Sequence, residues 1–261
     1  MTHATSHQPW IDRTTEDSYR FPRKSRSSGP LRGMLQHWRS KKGSRDNFLS
    51  GFFELENLWG ERHPQSRDGE IYRAFIKSVS SLTESRDPYT AGHQKKVSEL
   101  AEDIAREMGL PDDMVEGIRV AGIVHDIGKM SVPAEIVTKP AALTSLEFSI
   151  IKRHPGNAYE ILKEIDFPWP VAEMVLQHHE RLDGSGYPRG LKGNEIRLEA
   201  RVLAVADVIG AMSSHRPYRR DLGIEAALRE IHKNEGVFYD TEVARACQRC
   251  LKGASVLSPS L

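Results

Sequence analysis

The chain has 261 residues, 38% of them hydrophobic, and a formal net charge of +1 at pH 7. This length and composition allow one sizeable hydrophobic core, with an arm or a small accessory element left over. The charge is unevenly spread, because residues 13–45 hold ten Lys or Arg against two acidic residues, which leaves residues 46–261 about six charges negative. The folded part therefore lacks the global positive field of a nucleic-acid-binding protein.

Residues 1–45 are basic and rich in Ser, Gly and Pro, a composition that buries too little apolar surface to offset the entropy cost of ordering. We predict a disordered arm here, with a solvated tail favoured over a tether for an anionic partner. In residues 46–68 apolar side chains recur as in a short amphipathic helix. We interpret this segment as a helical linker that docks on the main domain or on a second copy of the chain.

Helical periodicity is nearly continuous from Gly69 onward. We predict about eight helices, no strand and an all-α domain over residues 69–252, followed by a tail over residues 253–261. The inward face of the first helix is predicted to carry Ile71, Phe75, Val79 and Leu82. The second helix should end at Gly109, before Pro111.

Three local signals predict helix boundaries and helix packing. Thr144 and Glu147 form the pattern of a capping box, which opens a helix. Pro155 disfavours helical geometry at His154, so we expect the helix to break there. Ala121 and Gly122 are small enough to let a neighbouring helix approach closely.

The two cysteines, Cys247 and Cys250, are three residues apart. No second ligand pair completes a zinc site and no βαβ pattern surrounds them, so we interpret them as two residues of one helix. We also find no apolar run long enough to span a bilayer and no charged-then-apolar leader. These features predict a protein that is not transmembrane and lies in the reducing cytoplasm.

Histidine and aspartate residues recur at inward positions of the predicted helices. One lone inward histidine is more often a satisfied core residue than a ligand, but an aspartate in an apolar run is costly to bury without a cation. Together these residues outnumber the ligands of one tetrahedral zinc site and suit a two-metal site. We predict two divalent ions, iron or manganese, with zinc, magnesium, nickel and cobalt as alternatives. The candidates are His93, His125, Asp126, His154, His178, His179 and Asp207.

Six motifs follow one another along residues 70–250: Tyr89-Thr-Ala-Gly-His93, His125-Asp-Ile-Gly-Lys129, His154-Pro155, Gln177-His-His-Glu180, Asp183-Gly-Ser-Gly-Tyr-Pro188 and Ala206-Asp207. This ordered set resembles the HD-GYP family of bacterial cyclic di-GMP phosphodiesterases. The resemblance implies an HD-domain helical bundle with a C-terminal HD-GYP extension. It also implies that residues 69–252 form an HD-GYP phosphohydrolase domain.

The resemblance further implies a ligand set. The first ion would take His93, His125, Asp126 and Asp207, and the second would take Asp126, His154, His178 and His179. Asp126 and a hydroxide would bridge the two ions. Two dications lower the pKa of bound water to about 7 and hold a phosphodiester in line for attack.

Catalytic and substrate-binding roles are implied in the same way. Asp126, Lys129 and Asp87 would be catalytic, Asp87 by positioning or deprotonating water. The substrate contacts would be Lys129, Asp183, Tyr187, Arg216 and Arg219. Taken alone, Lys129, Arg216 and Arg219 would be interpreted as surface charges or as charges that pair with helix C-termini. Asp87 would be a helix-end residue, and the loop over residues 183–188 would be an ordinary connection.

Three positions depart from the family pattern. Some members have a glutamate that holds a third metal where this chain has Tyr89, so we predict two metals. Gly210 and His215 replace aspartates and are expected near the substrate contacts, where they would affect affinity or substrate choice.

The predicted reaction is hydrolysis of cyclic di-GMP to linear pGpG, continuing slowly to GMP. One alternative is hydrolysis of another cyclic dinucleotide such as cyclic GMP-AMP. The other is a non-catalytic module that binds the nucleotide or a partner and transmits a signal. The expected partners are a diguanylate cyclase with a GGDEF domain or an adaptor, together with a second copy of the chain in a homodimer; specific nucleic-acid binding is not expected.

Overall fold

The computed structural model describes residues 67–87, 92–214 and 222–256. The predicted arm over residues 1–45 and almost all of the linker over residues 46–68 lie outside these ranges. Tyr89, His215, Arg216 and Arg219 also lie outside them, as do the last five residues of the predicted tail.

The regular secondary structure of the described ranges is helical, which confirms the all-α prediction. Their regular structure consists of ten α-helices and two 3-10 helices, and an isolated bridge joins Glu235 and Tyr239. The α-helices are α1 (Arg67–Arg86), α2 (His93–Glu107), α3 (Asp112–Val124), α4 (Ala134–Val137), α5 (Ser145–Ile151), α6 (His154–Leu162), α7 (Val171–Gln177), α8 (Leu198–Met212), α9 (Gly223–Lys233) and α10 (Thr241–Val256). The 3-10 helices span Ile127–Ser131 and Gly193–Glu195.

Helix α8 lies at the centre of the bundle, in contact with α2, α3, α7, α9 and α10. Eleven of its fifteen residues are buried, as expected for a helix that is apolar on nearly all sides. Helix α2 packs on α3, α8 and α10, and α6 packs on α7 and on the 3-10 helix Ile127–Ser131. The core therefore surrounds α8 and reaches the ends of α3, α6 and α7.

The close approach of α2 and α3 depends on Gly122. A Cβ atom built at Gly122 would lie 2.6 Å from Cα of Ser98, and the Ser98 hydroxyl donates a hydrogen bond of 2.7 Å to the carbonyl oxygen of Arg119. A side chain at position 122 would therefore meet backbone atoms of α2. This contact confirms the prediction made from the small residues of α3.

The predicted helix boundaries are largely confirmed. Thr144 caps α5 with its side chain, and the Glu147 carboxylate accepts a hydrogen bond from the Thr144 amide at 2.7 Å. Helix α5 ends at Ile151 and α6 begins at His154 with Pro155 in its first turn, where the proline removes no intrahelical hydrogen bond. The last helix continues to Val256, four residues past the predicted end of the domain, and α1 begins two residues before the predicted start.

The inward position predicted for Leu82 is wrong, because its side chain is 51% exposed. The buried residues of α1 include Ile76, Val79 and Thr83. Thr83 follows Val79 by four residues and therefore continues the stripe that packs on α3 and on the 3-10 helix. An apolar side chain at the helix surface was mistaken for part of this stripe.

Cys247 and Cys250 are free thiols buried in α10, which confirms that they are two residues of one helix. Cys250 Sγ lies 3.5 Å from the carbonyl oxygen of Asp103 in α2. Within the described ranges, no helix combines the length and the apolar character that crossing a membrane requires.

Candidate metal centre

The helix ends bring the seven candidate ligands together. His93 and His154 are the first residues of α2 and α6, and the other candidates except Asp207 follow the last residues of α3 and α7. Asp207 projects from the middle of α8. The central helix thus supplies one ligand, and the ends of four surrounding helices supply the other six.

The ligand atoms form two groups that a third group connects. Atoms within each group lie within 4.8 Å of one another, and ligands about 2.1 Å from one ion would lie about 3 to 4 Å apart. Asp126 Oδ2 lies 3.5 Å from His125 Nε2, and Asp126 Oδ1 lies 3.5 Å from His154 Nε2. The two oxygens therefore face different groups, as a bridging carboxylate would. The groups are His93, His125 and Asp207; His154, His178 and His179; and, between them, His125, Asp126 and His178.

Three imidazoles form the same type of hydrogen bond to the backbone. Nδ1 of His125, His154 and His178 lies 2.7, 2.9 and 2.5 Å, respectively, from the carbonyl oxygen three residues earlier. Because a carbonyl only accepts, Nδ1 carries the proton and Nε2 presents its lone pair in the neutral ring. The three Nε2 atoms are buried, and no described residue forms a hydrogen bond with them. Buried nitrogen lone pairs without a hydrogen-bond partner are suited to bind divalent metal ions.

The other two imidazoles are held differently. His93 Nε2 lies 3.2 Å from Asp207 Oδ1, while the buried Nδ1 of His93 has no hydrogen-bond partner in the described part of the chain. The His179 ring lies between the rings of His178 and Tyr187, with centroid distances of 4.0 and 4.7 Å. Ring contacts rather than a backbone carbonyl therefore set the orientation of His179.

Burial and neighbouring charges determine the protonation of the cluster. Burial lowers the pKa of His154 to about 4 and that of His178 to about 3. Burial alone would raise the pKa of Asp126, but the Lys129 ammonium and the neighbouring histidines hold it well below its usual range. Burial is likewise outweighed at Asp207, where the His93 hydrogen bond helps to keep the pKa low. At neutral pH His154 and His178 are therefore neutral and the two carboxylates ionised, the forms that bind metals.

Lys129 and Asp87 lie at one side of the cluster. Lys129 Nζ is 2.6 Å from Asp126 Oδ2, and the Asp87 side chain is buried. Both line a cavity whose wall comes from α4, α5 and the residues between them. The other lining residues are Ile136, Val137, Lys139, Leu143 and Ile151.

Asp183 builds the loop after α7. Its Oδ1 accepts hydrogen bonds from the Ser185 amide at 2.9 Å and the Ser185 hydroxyl at 2.7 Å. The Asp183 side chain is buried, so this geometry supports a role in shaping the loop more than the predicted substrate contact.

Sequence reasoning assigned no role to Glu180, which also organises this loop. Its carboxylate accepts hydrogen bonds from the backbone amides of Arg189 at 2.7 Å and Leu191 at 3.1 Å. The donors lie nine and eleven residues after Glu180 in the chain. This spacing leaves no periodic signal in the sequence.

Two further residues without a predicted role lie beside Tyr187. The Phe148 ring centroid is 6.5 Å from that of Tyr187, nearly perpendicular to it. Lys152 Nζ lies 4.9 Å from the Phe148 centroid and 5.4 Å from the Tyr187 centroid. The four-residue spacing of Phe148 and Lys152 was the one available signal, but it only places Lys152, directly after α5, on the side of the helix that carries Phe148.

Gly210, expected from the sequence to lie near the substrate contacts, packs against His93. A Cβ atom at position 210 would lie 2.9 Å from Val97 Cγ2 and 3.2 Å from His93 Cε1. The His93 ring therefore packs on the backbone of α8. Substitution at Gly210 would act on a candidate metal ligand.

Five histidines and two aspartates at the meeting point of these helices define a helical domain with a candidate two-metal centre. The family model of the HD domain matches residues 77–243. The chain belongs to the HD domain family.

Named relatives agree with this assignment. The chain is 43% identical over 173 residues to a cyclic di-GMP phosphodiesterase of Thermotoga maritima, covering 66% of this chain and 47% of the relative. It is 39% identical over 150 residues to 3'3'-cGAMP-specific phosphodiesterase 1 of Vibrio cholerae, covering 58% and 35%. The chain thus spans less than half the length of either relative.

A solved structure shows the same fold. Bd1817, a HDG"Y"P protein from Bdellovibrio bacteriovorus, superposes with a TM-score of 0.55 at 16% identity, covering 84% of this chain and 76% of that one. This likeness supports the helical HD-domain fold.

Proposed function

We propose that this domain is a metal-dependent phosphodiesterase that hydrolyses cyclic di-GMP to linear pGpG, continuing slowly to GMP. The observation that carries the proposal is the pair of ligand groups on either side of Asp126, with three buried Nε2 atoms that form no hydrogen bond within the described ranges. Relatives named cyclic di-GMP phosphodiesterase support the choice of substrate.

The donor set fits two divalent ions, which we propose to be iron or manganese. One would be held by His93, His125, Asp126 and Asp207, and the other by Asp126, His154, His178 and His179. When bound, two such ions supply a water of pKa about 7 and positive charge opposite the phosphodiester. Imidazoles held at Nδ1 by backbone carbonyls keep Nε2 aimed at the centre without reorganisation.

The residues around the ligands are proposed to bind and orient the substrate. Lys129 lies beside Asp126, where its ammonium meets a phosphate oxygen that approaches the cluster. Asp87, buried in the same cavity, orients the attacking water or accepts its proton. Arg216 and Arg219 keep their predicted role as bidentate phosphate ligands.

The second candidate is hydrolysis of cyclic GMP-AMP. It is favoured by the 39% identity to a 3'3'-cGAMP-specific phosphodiesterase. A comparison of kcat/KM for the two cyclic dinucleotides decides between the candidates.

The setting of the reaction is proposed on chemical grounds. We propose a cytoplasmic setting, as predicted from a sequence with only two cysteines, both in one helix and without a disulfide framework. A diguanylate cyclase or adaptor partner and a homodimer remain predictions made from the sequence.

The experiment combines anaerobic metal analysis with chromatography of the products formed from each cyclic dinucleotide. Wild-type protein should hold about two metals per chain and yield a linear dinucleotide. Asp126→Asn should lose both properties, while Asp112→Asn, at a 91% exposed side chain of α3, should keep them. Full hydrolysis by Asp126→Asn would refute the proposal. Metal without turnover of either substrate would favour a binding module.

A further inference from the structure

Lys152 places a positive charge beside Tyr187, at the edge of the metal centre that the His179 ring forms. It directly follows α5, one face of which contributes Ile151 to the Lys129 cavity. Lys152 itself lies over the rings of Phe148 and Tyr187. Because the Tyr187 ring contacts His179, Lys152 is two ring contacts away from a candidate metal ligand.

This charge is not neutralised by the described residues. Lys129 is 2.6 Å from a carboxylate oxygen of Asp126, and Lys139 is 2.7 Å from one of Glu147. No carboxylate oxygen in ranges 67–87, 92–214 and 222–256 forms an ion pair with Lys152. Its half-buried stem and the two ring faces hold the ammonium in place while leaving its charge available.

The ring contacts are weak enough to be exchanged for a stronger partner. A lysine over an aromatic face at a partly exposed site gains about 0.5 to 1 kcal/mol. Hydrogen bonds between an ammonium and a phosphate are among the stronger ones in proteins, because both partners are charged. A phosphate that reaches this edge would therefore draw the ammonium from the rings.

A cyclic dinucleotide carries two phosphodiesters in one ring. Only one of them can occupy the reacting position beside Asp126, and the ring holds the other nearby. We propose that Lys152 binds this second, non-scissile phosphate and thereby selects cyclic dinucleotides over substrates with a single phosphodiester. This inference rests on the proposed function and names the charge that recognises its substrate class.

The kinetic consequence follows from where the second phosphate lies. It is bound equally in the ground state and the transition state, because no bond to it changes. Loss of such uniform binding raises KM and leaves kcat unchanged. A lysine that only supported Tyr187 and His179 would instead affect metal content and every substrate.

The test compares Lys152→Gln, which removes the charge, with Lys152→Arg, which keeps it. Lys163→Gln is the matched control, because Lys163 Nζ also lies over a ring, 5.9 Å from the centroid of Tyr159. Substrates are cyclic di-GMP and bis(p-nitrophenyl) phosphate, which has one phosphodiester. Lys152→Gln should raise KM for cyclic di-GMP about tenfold, with kcat, bound metal and cleavage of the single phosphodiester unchanged. Lys152→Arg and Lys163→Gln should behave like wild type.

Other outcomes separate the two proposals. An unchanged KM for cyclic di-GMP in Lys152→Gln overturns the role of Lys152 while the phosphodiesterase stands. Loss of metal together with loss of turnover of both substrates also overturns it and assigns Lys152 a structural role. Wild-type protein that cleaves bis(p-nitrophenyl) phosphate but no cyclic dinucleotide overturns the proposed function, and the inference with it.

Discussion

His179 is oriented by aromatic rings, whereas His125, His154 and His178 are oriented by backbone carbonyls. A hydrogen bond at Nδ1 fixes both the tautomer and the rotation of an imidazole. His179 has the Tyr187 ring on one side, tilted by 30°, and its Nδ1 is 4.0 Å from Asp207 Oδ2. Tyr187 therefore restricts the rotation of the His179 ring, as the carbonyls do for those three imidazoles, but it does not fix the tautomer.

Removal of the Tyr187 ring should weaken metal binding at the group that contains His179. Tyr187→Leu frees rotation of the imidazole, so we expect the affinity for one of the two ions to fall about tenfold, as for loss of an outer-shell partner. Tyr187→Phe keeps the ring and should retain wild-type affinity. Anaerobic metal titration of both variants measures the difference. Equal affinities in Tyr187→Leu and Tyr187→Phe would show that the stack does not hold His179.

At the scale of helices, the site depends on how closely α2 and α3 pack. Both helices carry candidate ligands at their ends, since His93 begins α2 and His125 follows α3. The distance between the two ligands is therefore set by the contact at Gly122 and Ser98. A change at this crossing would therefore move His93 and His125 relative to each other.

Gly122→Ala should destabilise the protein although alanine is the better helix former. The gain in helix propensity is about 1 kcal/mol, but the new Cβ meets a backbone atom at 2.6 Å, and overpacking costs about 1 to 3 kcal/mol. We expect a lower Tm in a thermal melt followed by circular dichroism.

Gly156→Ala in α6 is the control for this substitution. A Cβ atom at Gly156 meets nothing within 4 Å, so the same change should leave Tm unchanged or raise it. A Tm for Gly122→Ala at or above that of Gly156→Ala would contradict the close-contact explanation.

At the scale of the whole molecule, the packing of α2 on α10 buries an acid outside the metal centre. Burial, assisted by the neighbouring carboxylates Glu102 and Glu99 and opposed by Arg106, raises the pKa of Asp103 to about 7. The folded-state pKa is thus above the unfolded value, so the folded state favours the protonated acid. Stability falls as the pH rises from about 4 to about 7 and the buried acid must ionise.

Asp103→Asn should remove this pH-dependent loss. The variant and wild type should have similar Tm values at pH 4, and at pH 8 the Tm of the variant should be higher by roughly several degrees. Titrations of other groups affect both proteins equally and therefore cancel in this difference. Glu225→Gln, at a side chain 92% exposed on α9, should show no such trend. A difference that is constant between pH 4 and pH 8 would rule out ionisation of Asp103 as the cause.

The sequence by itself determined the helical class, most helix boundaries and the positions of the candidate ligands. These features are local: apolar spacing, the capping box at Thr144 and the proline after His154 act within a few residues. The ordered motifs also indicated the family, because their residue types and spacing are visible without coordinates.

Only the tertiary structure decided how these residues meet. It showed that Asp126 directs its two oxygens to different ligand groups, that Nε2 rather than Nδ1 of three imidazoles faces the centre, and that Asp183 shapes a loop. It also placed Lys152 beside Tyr187, 35 positions further along the sequence. The physical reason is that such contacts join residues far apart in the chain, so they exist only once the helices have packed around α8.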